Sequence, residues 1–509
     1  MKNKSLSGED LEKIKEIADI HSVTTSTGAT IYLICPKTTI GPQAMAMIQA
    51  LYSRSPASIL SHLLEVATKG ADNFMQQYYV DYGHKSIGDL GNILIAVEGG
   101  SMLLAKAIQD SQLYAGQEAS TRYMDFSDQP FLHWDGILCA TSGITEGVRT
   151  HQEIIQENWR TFYMENMPVV LEHVKTQNPY SSFDFSEQLA AEQKKNPKLL
   201  DPDAAEKWKK GLWLKTMKAR AFDIMRGFLP AGATTYVAWW TSISHANDHL
   251  SWLRCHVLSE VTEVAQKTEE LLKQVYPSSF GRQVYGDREA YKKKWFETEY
   301  YLEANDQFPN FECKVSHFMM LTDPYRDMVL TRPKGVDLPW QIGEVVSVLW
   351  RDSIDFGSFR DQQRHRAVIQ RMGLITAKLG MHEWYLKNLP PALLKSTQKF
   401  LDDQLGKIES LGLGKYEAQY LFPMGMKVPT RTAGSLAKVI YLIELRCQRT
   451  VHPTFHANAF RLAVSVREQL AQIFNCTAGE IPLYIDEAVG ELTLKRGTQD
   501  IVRNEVPEA

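Results

Sequence analysis

The sequence predicts an α+β fold, rich in helix and built from two diverged copies of one unit. Two observations carry that expectation. Apolar residues recur at helical spacing over long stretches, and short β-branched runs such as ATIYLICPK interrupt them. Each half also leads an apolar segment into a Pro-x-Gly, RGFLPAG at 226–232 and YLFPMG at 420–425. A helix ending in Leu-Arg-Cys follows each, WLRC at 252–255 and ELRC at 444–447.

Along the chain, residues 8–19 read as a short polar helix and ATIYLICPK as a buried strand. GPQAMAMIQALYSR and ASILSHLLEVATKGADNFMQQYYVD carry helical periodicity. Residues 92–114 suggest a strand, a Gly-Gly break and a helix. The stretch 180–212 is charged and punctuated by proline, as a surface insertion would be. Long helices are expected over 213–228 and 236–275. Strands are expected near 297–303 and 312–322, and helices near 340–380, 389–408 and 431–449. The resulting division is an N-terminal helix at 1–21, a first domain at 22–275, a linker at 276–295, a second domain at 296–478 and a tail at 479–509. The last twenty residues read as a strand fragment and a loose end.

Composition narrows the function. A chain of 509 residues has room for two to four domains with buried cores. Its 56 Lys plus Arg against 60 Asp plus Glu give a net charge of −4, which argues against a general nucleic-acid binder. The six cysteines form no C-x-x-C pair, so neither zinc nor a disulfide framework is expected, and no metal site is assigned. No apolar stretch approaches the length of a membrane span, and the N-terminus lacks a signal-peptide core. The expectation is a cytoplasmic protein that binds neither membrane nor nucleic acid.

Residues 363–371, QRHRAVIQR, crowd cations into an otherwise acidic chain. As a helix, Arg360, Arg364 and Arg371 would share one face, and like charges at that spacing repel unless an anion sits between them. The flanks VVSVLW and MGLITA are apolar, so the cluster is expected to be buried and to need a partner. A phosphate would satisfy it, and a solvated charged face is the alternative. In QEASTRY, Glu118, Ser120 and Arg122 are spaced by two and would point one way from an extended segment. They suit an anionic small molecule, or an edge with an internal Glu–Arg pair. GHKSIGD offers His84 and Ser86 near a turn. Arg226, Arg254 and Arg446 read either as anion ligands or as cations at helix ends. Walker, zincin, Rossmann and nucleophile-elbow motifs are absent.

Together these pieces resemble the flavin-dependent thymidylate synthases. GHKSIGD, EGGS at 98–101 and QEASTRY follow that family's order and spacing in the first half, as do LPAGATTYVAWW (229–240) and WLR. Where the family has Arg-His-Arg, the first half has Asp110-Ser111-Gln112. The second half keeps Arg364-His365-Arg366 but has RMGLITA in place of the Asn-Glu-x-Ser-x-Arg-Tyr segment. Each half thus resembles a copy retaining what the other lost.

The resemblance implies a mixed sheet with long helices, and reductive methylation of dUMP to dTMP. Methylenetetrahydrofolate would give the carbon and reduced FAD the hydride, with NADPH as reductant. Ser120, Arg122 and Arg254 would take catalytic roles. Glu118, Ser120, Arg122, Arg226, Arg254 and Arg446 would hold the nucleotide. His84, Ser86, Arg360, Arg364, His365 and Arg366 would hold the cofactor. A homodimer would form a pseudo-tetramer with composite sites. Two alternatives remain: a related flavoenzyme acting on another pyrimidine nucleotide, and a non-catalytic nucleotide-binding paralogue.

Overall fold

The computed structural model describes residues 8–38, 40–53, 55, 57–81, 85–122, 126–127, 130–134, 146–281, 283–302, 308–317 and 323–498. The chain divides into two compact units that interleave along the sequence. The first gathers residues 1–119, 128–150 and 231–300, and the second gathers 120–127, 151–230 and 301–509.

In the first unit, strands β1 (Ala18–Thr24), β2 (Thr30–Pro36), β3 (Asn92–Ser101), β4 (Ala115–Glu118) and β5 (Thr234–Ser242) form one sheet in the order β1-β2-β3-β5-β4. Every strand pair is antiparallel, which corrects the expected mixed sheet. The Gly-Gly of EGGS is a bulge within β3, not its end. The register against β5 shifts between Glu98 and Gly100, and Gly99 sits at φ +77, where glycine is free of Cβ strain. Ser101 then caps the helix Met102–Gln109 by accepting from the Leu104 backbone N–H. Residues 234–242, partly expected as helix, form a strand instead. TTYVAWWTS is β-branched and aromatic, and β3 and β4 pair with it on either side. The helix begins only at Ile243, where Ser242 accepts from the His245 N–H.

In the second unit, β6 (Phe311–His317), β7 (Val346–Asp355), β8 (Ile369–Met372) and β9 (Lys427–Ser435) form an antiparallel sheet in the order β6-β7-β9-β8. The helix expected over 340–380 is instead broken, with β7 and β8 on either side of a short helix, Phe356–Gln363. Alternate residues of β7, from Val346 through Val348 to Trp350, are buried, a period of two. A capped helix again follows the central strand directly: Asp355 accepts from the Ser358 N–H and starts Phe356–Gln363. The long helices Pro391–Ser410, Leu436–Arg446 and Pro453–Phe474 complete the unit with Pro202–Met225. Leu442, Ile443, Leu462 and Val466 pack with Val348 and Trp350 in its core.

Three further expectations change. Residues 286–295 of the expected linker lie in the helix Gly286–Thr298. The charged stretch near 180–212 is not a bare loop, since Phe185 and Leu212 bury against Leu494 with Trp208 and Trp213 packed alongside. The tail forms a short helix, Lys495–Thr498, in place of a strand fragment, and Arg496 within it is buried.

Candidate functional site

The two Pro-x-Gly segments meet inside the second unit. Pro230 and Pro423 bridge antiparallel, the Met424 N–H donates to the Leu229 carbonyl, and the Gly425 N–H donates to the Gly227 carbonyl. Gly227 allows this approach. A Cβ there would lie 2.4 Å from the buried Tyr385 ring, whose hydroxyl donates to Asp355 at 2.8 Å. Gly227→Ala is expected to cost about 1–3 kcal/mol by overpacking, read as a lowered denaturant midpoint; an unchanged midpoint would contradict the tight contact.

This junction places Arg226 at the end of the helix Pro202–Met225, with only 2% of its surface exposed. Its Nη1 donates to Asp361 at 3.3 Å, and its Nη2 lies 3.9 Å from Asp355 as an ion pair. Nε and Nη2 are buried without a hydrogen-bond partner. Burial opposes its charge, but Tyr385, Asp361 and Asp355 more than restore it and hold the guanidinium protonated.

Arg122 comes from the turn beyond β4. Its Nε and Nη2 fork onto Asp223 at 2.7 and 3.0 Å, and Nη2 also reaches the Thr450 carbonyl at 3.2 Å. Arg496 of the tail donates to the same carboxylate at 3.2 Å and to the Arg122 carbonyl at 3.2 Å. Burial alone would raise the Asp223 carboxyl, yet Arg122 and Arg496 hold it well below its usual range. His452 donates from Nε2 to the Asp223 carbonyl at 3.0 Å, while its Nδ1 accepts from the Thr454 N–H.

Asp361 draws the cluster together. Burial acts to raise its carboxyl, and Arg226, Arg122, Arg364 and Arg446 together hold it well below the carboxylate range. Arg446, ending the helix Leu436–Arg446, donates to the Asp361 carbonyl at 2.9 Å and to His365 Nε2 at 2.6 Å. Of the arginines expected from the sequence, Arg226 bonds the Asp361 carboxylate and Arg446 its carbonyl, while Arg122 and Arg364 attract the carboxylate at longer range. The partner their charge demands is met, in the chain itself, by Asp361, Asp223 and Asp355.

The expected single helical face is not what aligns them. The helix ends at Gln363, Arg364 is its C-cap, and Arg371 lies on β8. Two turn bonds, His365 N–H to Gln362 O and Val368 N–H to His365 O, redirect the chain so that β8 can pair with β9. Arg360 is buried, whereas Arg364 and Arg366 are exposed. Nor do Glu118, Ser120 and Arg122 share an extended segment. β4 ends at Glu118, and Ser120 accepts from the Arg122 N–H in the turn that follows.

The remaining expected residues lie in the first unit. Glu118 is buried and accepts from Gln109 at 2.8 Å. Arg254 caps its helix and forks onto Glu289 at 3.0 and 2.9 Å, with Glu269 on its other amine. Burial would raise Glu289, but Arg254 and Cys255 lower it to about 2. Ser86 is exposed on the short helix Lys85–Gly88, and His84 lies outside the described residues. Sequence reasoning missed Asp223, Asp355, Asp361, Tyr385, His452 and Arg496. Two signals were present: a lone acid within the cationic RDQQRHR, and an Asp three residues before Arg226.

Buried neutral histidines make the fold acid-sensitive. Burial, then Arg446, lowers His365 to about 3. Burial, then Arg226, lowers His452 to about 3. Burial also pushes His256 well below the ordinary histidine range. Each folded value is depressed, so its stability is present above about pH 6.5 and lost as pH falls toward the folded value, at up to about 1.4 kcal/mol per pH unit per group. Asp352 acts oppositely, since burial raises it to about 6. Burial also lowers His249 and His456 and raises Glu269, so five histidines against two carboxyls leave a net loss, and the melting temperature should drop from pH 7 to pH 5. A flat profile would contradict this.

Residues 38–278 match the family model described as thymidylate synthase complementing protein. A UPF0159 protein of Thermoplasma acidophilum is 21% identical, with 90% of this chain and 98% of that protein covered. A UPF0159 protein of Chlamydia muridarum is 22% identical, covering 79% of this chain and 80% of its own. One of Chlamydia pneumoniae is 21% identical, covering 84% and 85%. The similarity to these relatives runs through both units. Among the described residues no helix is long and apolar enough to cross a membrane.

Proposed function

We propose that this chain, whose residues 38–278 match the thymidylate synthase complementing protein family model, is a thymidylate synthase-type enzyme that methylates dUMP to dTMP. The observation that carries the reading is the cluster in which Arg226 and Arg122 pair with Asp361 and Asp223, while Arg446 donates to the Asp361 carbonyl and Arg364 attracts the Asp361 carboxylate at longer range. These arginines come from sequence segments far apart, two from each half of the chain.

In this reading the halves are diverged copies whose surviving polar groups are pooled. Supporting it, each unit runs a central strand directly into a capped eight-residue helix, then a four-residue edge strand. In both sheets that edge strand pairs with the strand that follows the Pro-x-Gly. Two chains would assemble as a pseudo-tetramer.

The residues present fit the phosphate of a nucleotide or of FAD. Arg226 holds two buried donors in reserve, and Arg364 and Arg366 present guanidinium groups to solvent. The cavity beside Arg122 and Arg496 holds about 10 Å³, too little for a flavin ring, so the ring would lie on surface outside this cluster. Bound there, reduced FAD would supply the hydride, with methylenetetrahydrofolate as carbon donor and NADPH as reductant. The chain's own part is electrostatic: cations fixed in advance by carboxylates hold the substrate phosphate without reorganising. Ser120 orders the turn that presents Arg122.

Four of the described cysteines are poorly suited to a nucleophilic part. Burial raises Cys255 to about 11 and Cys447 to about 12, and also raises Cys35 and Cys313. Such groups are poor nucleophiles toward a pyrimidine.

A second reading, a nucleotide-binding paralogue without catalysis, is favoured by one observation. Arg122 already spends Nε and Nη2 on Asp223. Purified protein should show flavin absorbance, and reduced flavin should be oxidised in a dUMP-dependent manner with dTMP formed. Nucleotide binding without flavin would leave only the paralogue.

A further inference from the structure

The first unit contains a cavity of about 290 Å³ that is separate in composition from the arginine cluster. Its aromatic walls are His249, Trp252, His256, Trp295, Phe296 and Tyr300, and Asp110 and Ser111 also line it. The rings meet edge to face: Trp252 and Trp295 at 5.6 Å, Trp295 and Tyr300 at 5.4 Å, His256 and Tyr300 at 4.9 Å. His256, Phe296 and Tyr300 are buried and make the floor, while Trp252 and Trp295 are partly exposed and frame the mouth. Beneath the floor, Lys106 bonds Tyr300 at 2.6 Å and pairs with Asp110, so the charge there is balanced.

One polar group in this wall is unsatisfied. His256 Nδ1 accepts from the Leu258 N–H at 3.0 Å, which puts the ring proton on Nε2. Nε2 is buried and has no hydrogen-bond partner, in a side chain only 7% exposed. Burial keeps this imidazole neutral, so it remains a single N–H donor and not a cation. A buried donor left without an acceptor is costly, and a ligand that supplies one recovers the loss.

We propose that this cavity binds an uncharged, planar heteroaromatic ring of one or two fused cycles. The ring lies against Trp252 and Trp295, and its ring nitrogen or carbonyl accepts from His256 Nε2–H. The volume is near the lower bound for small-molecule sites, which suits a single base-sized ring and not a dinucleotide. The aromatic walls select flatness, and the buried, unpartnered His256 donor selects an acceptor edge. A purine base and a free bicyclic heterocycle share that chemistry. The proposal stands independently of the methylation reading.

The matched probes are quinoline and naphthalene, which differ by one ring nitrogen, with adenosine as a nucleoside. Each is titrated into the full chain by calorimetry and by quenching of tryptophan fluorescence. Quinoline should bind about tenfold more tightly than naphthalene, the worth of one neutral hydrogen bond. His256→Phe keeps a ring and removes the donor, so it should abolish that preference. Because it also strands the Leu258 N–H, Trp295→Leu serves as a second variant. It leaves that bond intact and should weaken both probes about tenfold while keeping the quinoline preference. Adenosine binding that competes with quinoline would assign the cavity to nucleosides, and quinoline binding without competition would assign it to free heterocycles. Equal affinity for quinoline and naphthalene, a preference that survives His256→Phe, or no binding of any probe would overturn the proposal.

Discussion

Asp223→Asn should destabilise the protein by about 3–5 kcal/mol, because it leaves buried guanidinium charge without its counter-ion. The side chains of Asp223 and Arg122 are 4% and 11% exposed, so solvent cannot replace the lost carboxylate. Arg496, 6% exposed on its side chain, loses the same partner. Asparagine keeps the shape, and the measured loss therefore reports charge more than packing. Guanidinium denaturation of wild type and variant is the measurement, and a difference under about 1 kcal/mol would show that the cluster tolerates unpaired charge. The variant should also release the tail, since Arg496 ties Lys495–Thr498 to the site through Asp223 and the Arg122 carbonyl. Faster proteolysis at the C-terminal end would report that release.

Arg364→Ala should cost flavin affinity about 10- to 100-fold while leaving stability within about 0.5 kcal/mol of wild type. Arg364 is exposed at the C-cap of Phe356–Gln363 and faces Asp361 only through longer-range attraction. Its removal strips a guanidinium from the anion-facing side without opening a buried pair. Arg122→Ala should behave in the opposite way, losing both nucleotide affinity and stability, because Asp223 then keeps Arg496 alone. Bound flavin retained at full occupancy in Arg364→Ala would remove Arg364 from the cofactor site. An intact melting temperature in Arg122→Ala would contradict the role assigned to its fork.

RDQQRHR announces clustered cations and a missing anion from charge and apolar flanks alone, although of its three arginines only Arg360 is buried. Asp361 sits inside the motif, yet its importance emerges only when Arg122, Arg226 and Arg446 arrive from three other segments. Asp223 was equally silent. An acid in the helical run KARAFDIM reads as one more surface residue until Arg122 and Arg496 are folded onto it.

Local chemistry in the sequence determined a good deal. Turn and cap residues, apolar period and proline positions defined the strand Thr30–Pro36 and the helices Pro42–Tyr52 and Pro391–Ser410. The matched Pro-x-Gly segments and the arginine-rich stretch were also legible, because each is a pattern of neighbours along the chain. Tertiary structure decided the rest. TTYVAWWTS and VSVLWRDSID became strands because neighbouring strands were there to pair with them, a contact no single segment specifies. The arginines found carboxylates as partners, and an acidic chain closed its own cationic cluster. Burial makes unpaired charge too costly to leave, so distant residues had to be brought together to neutralise it.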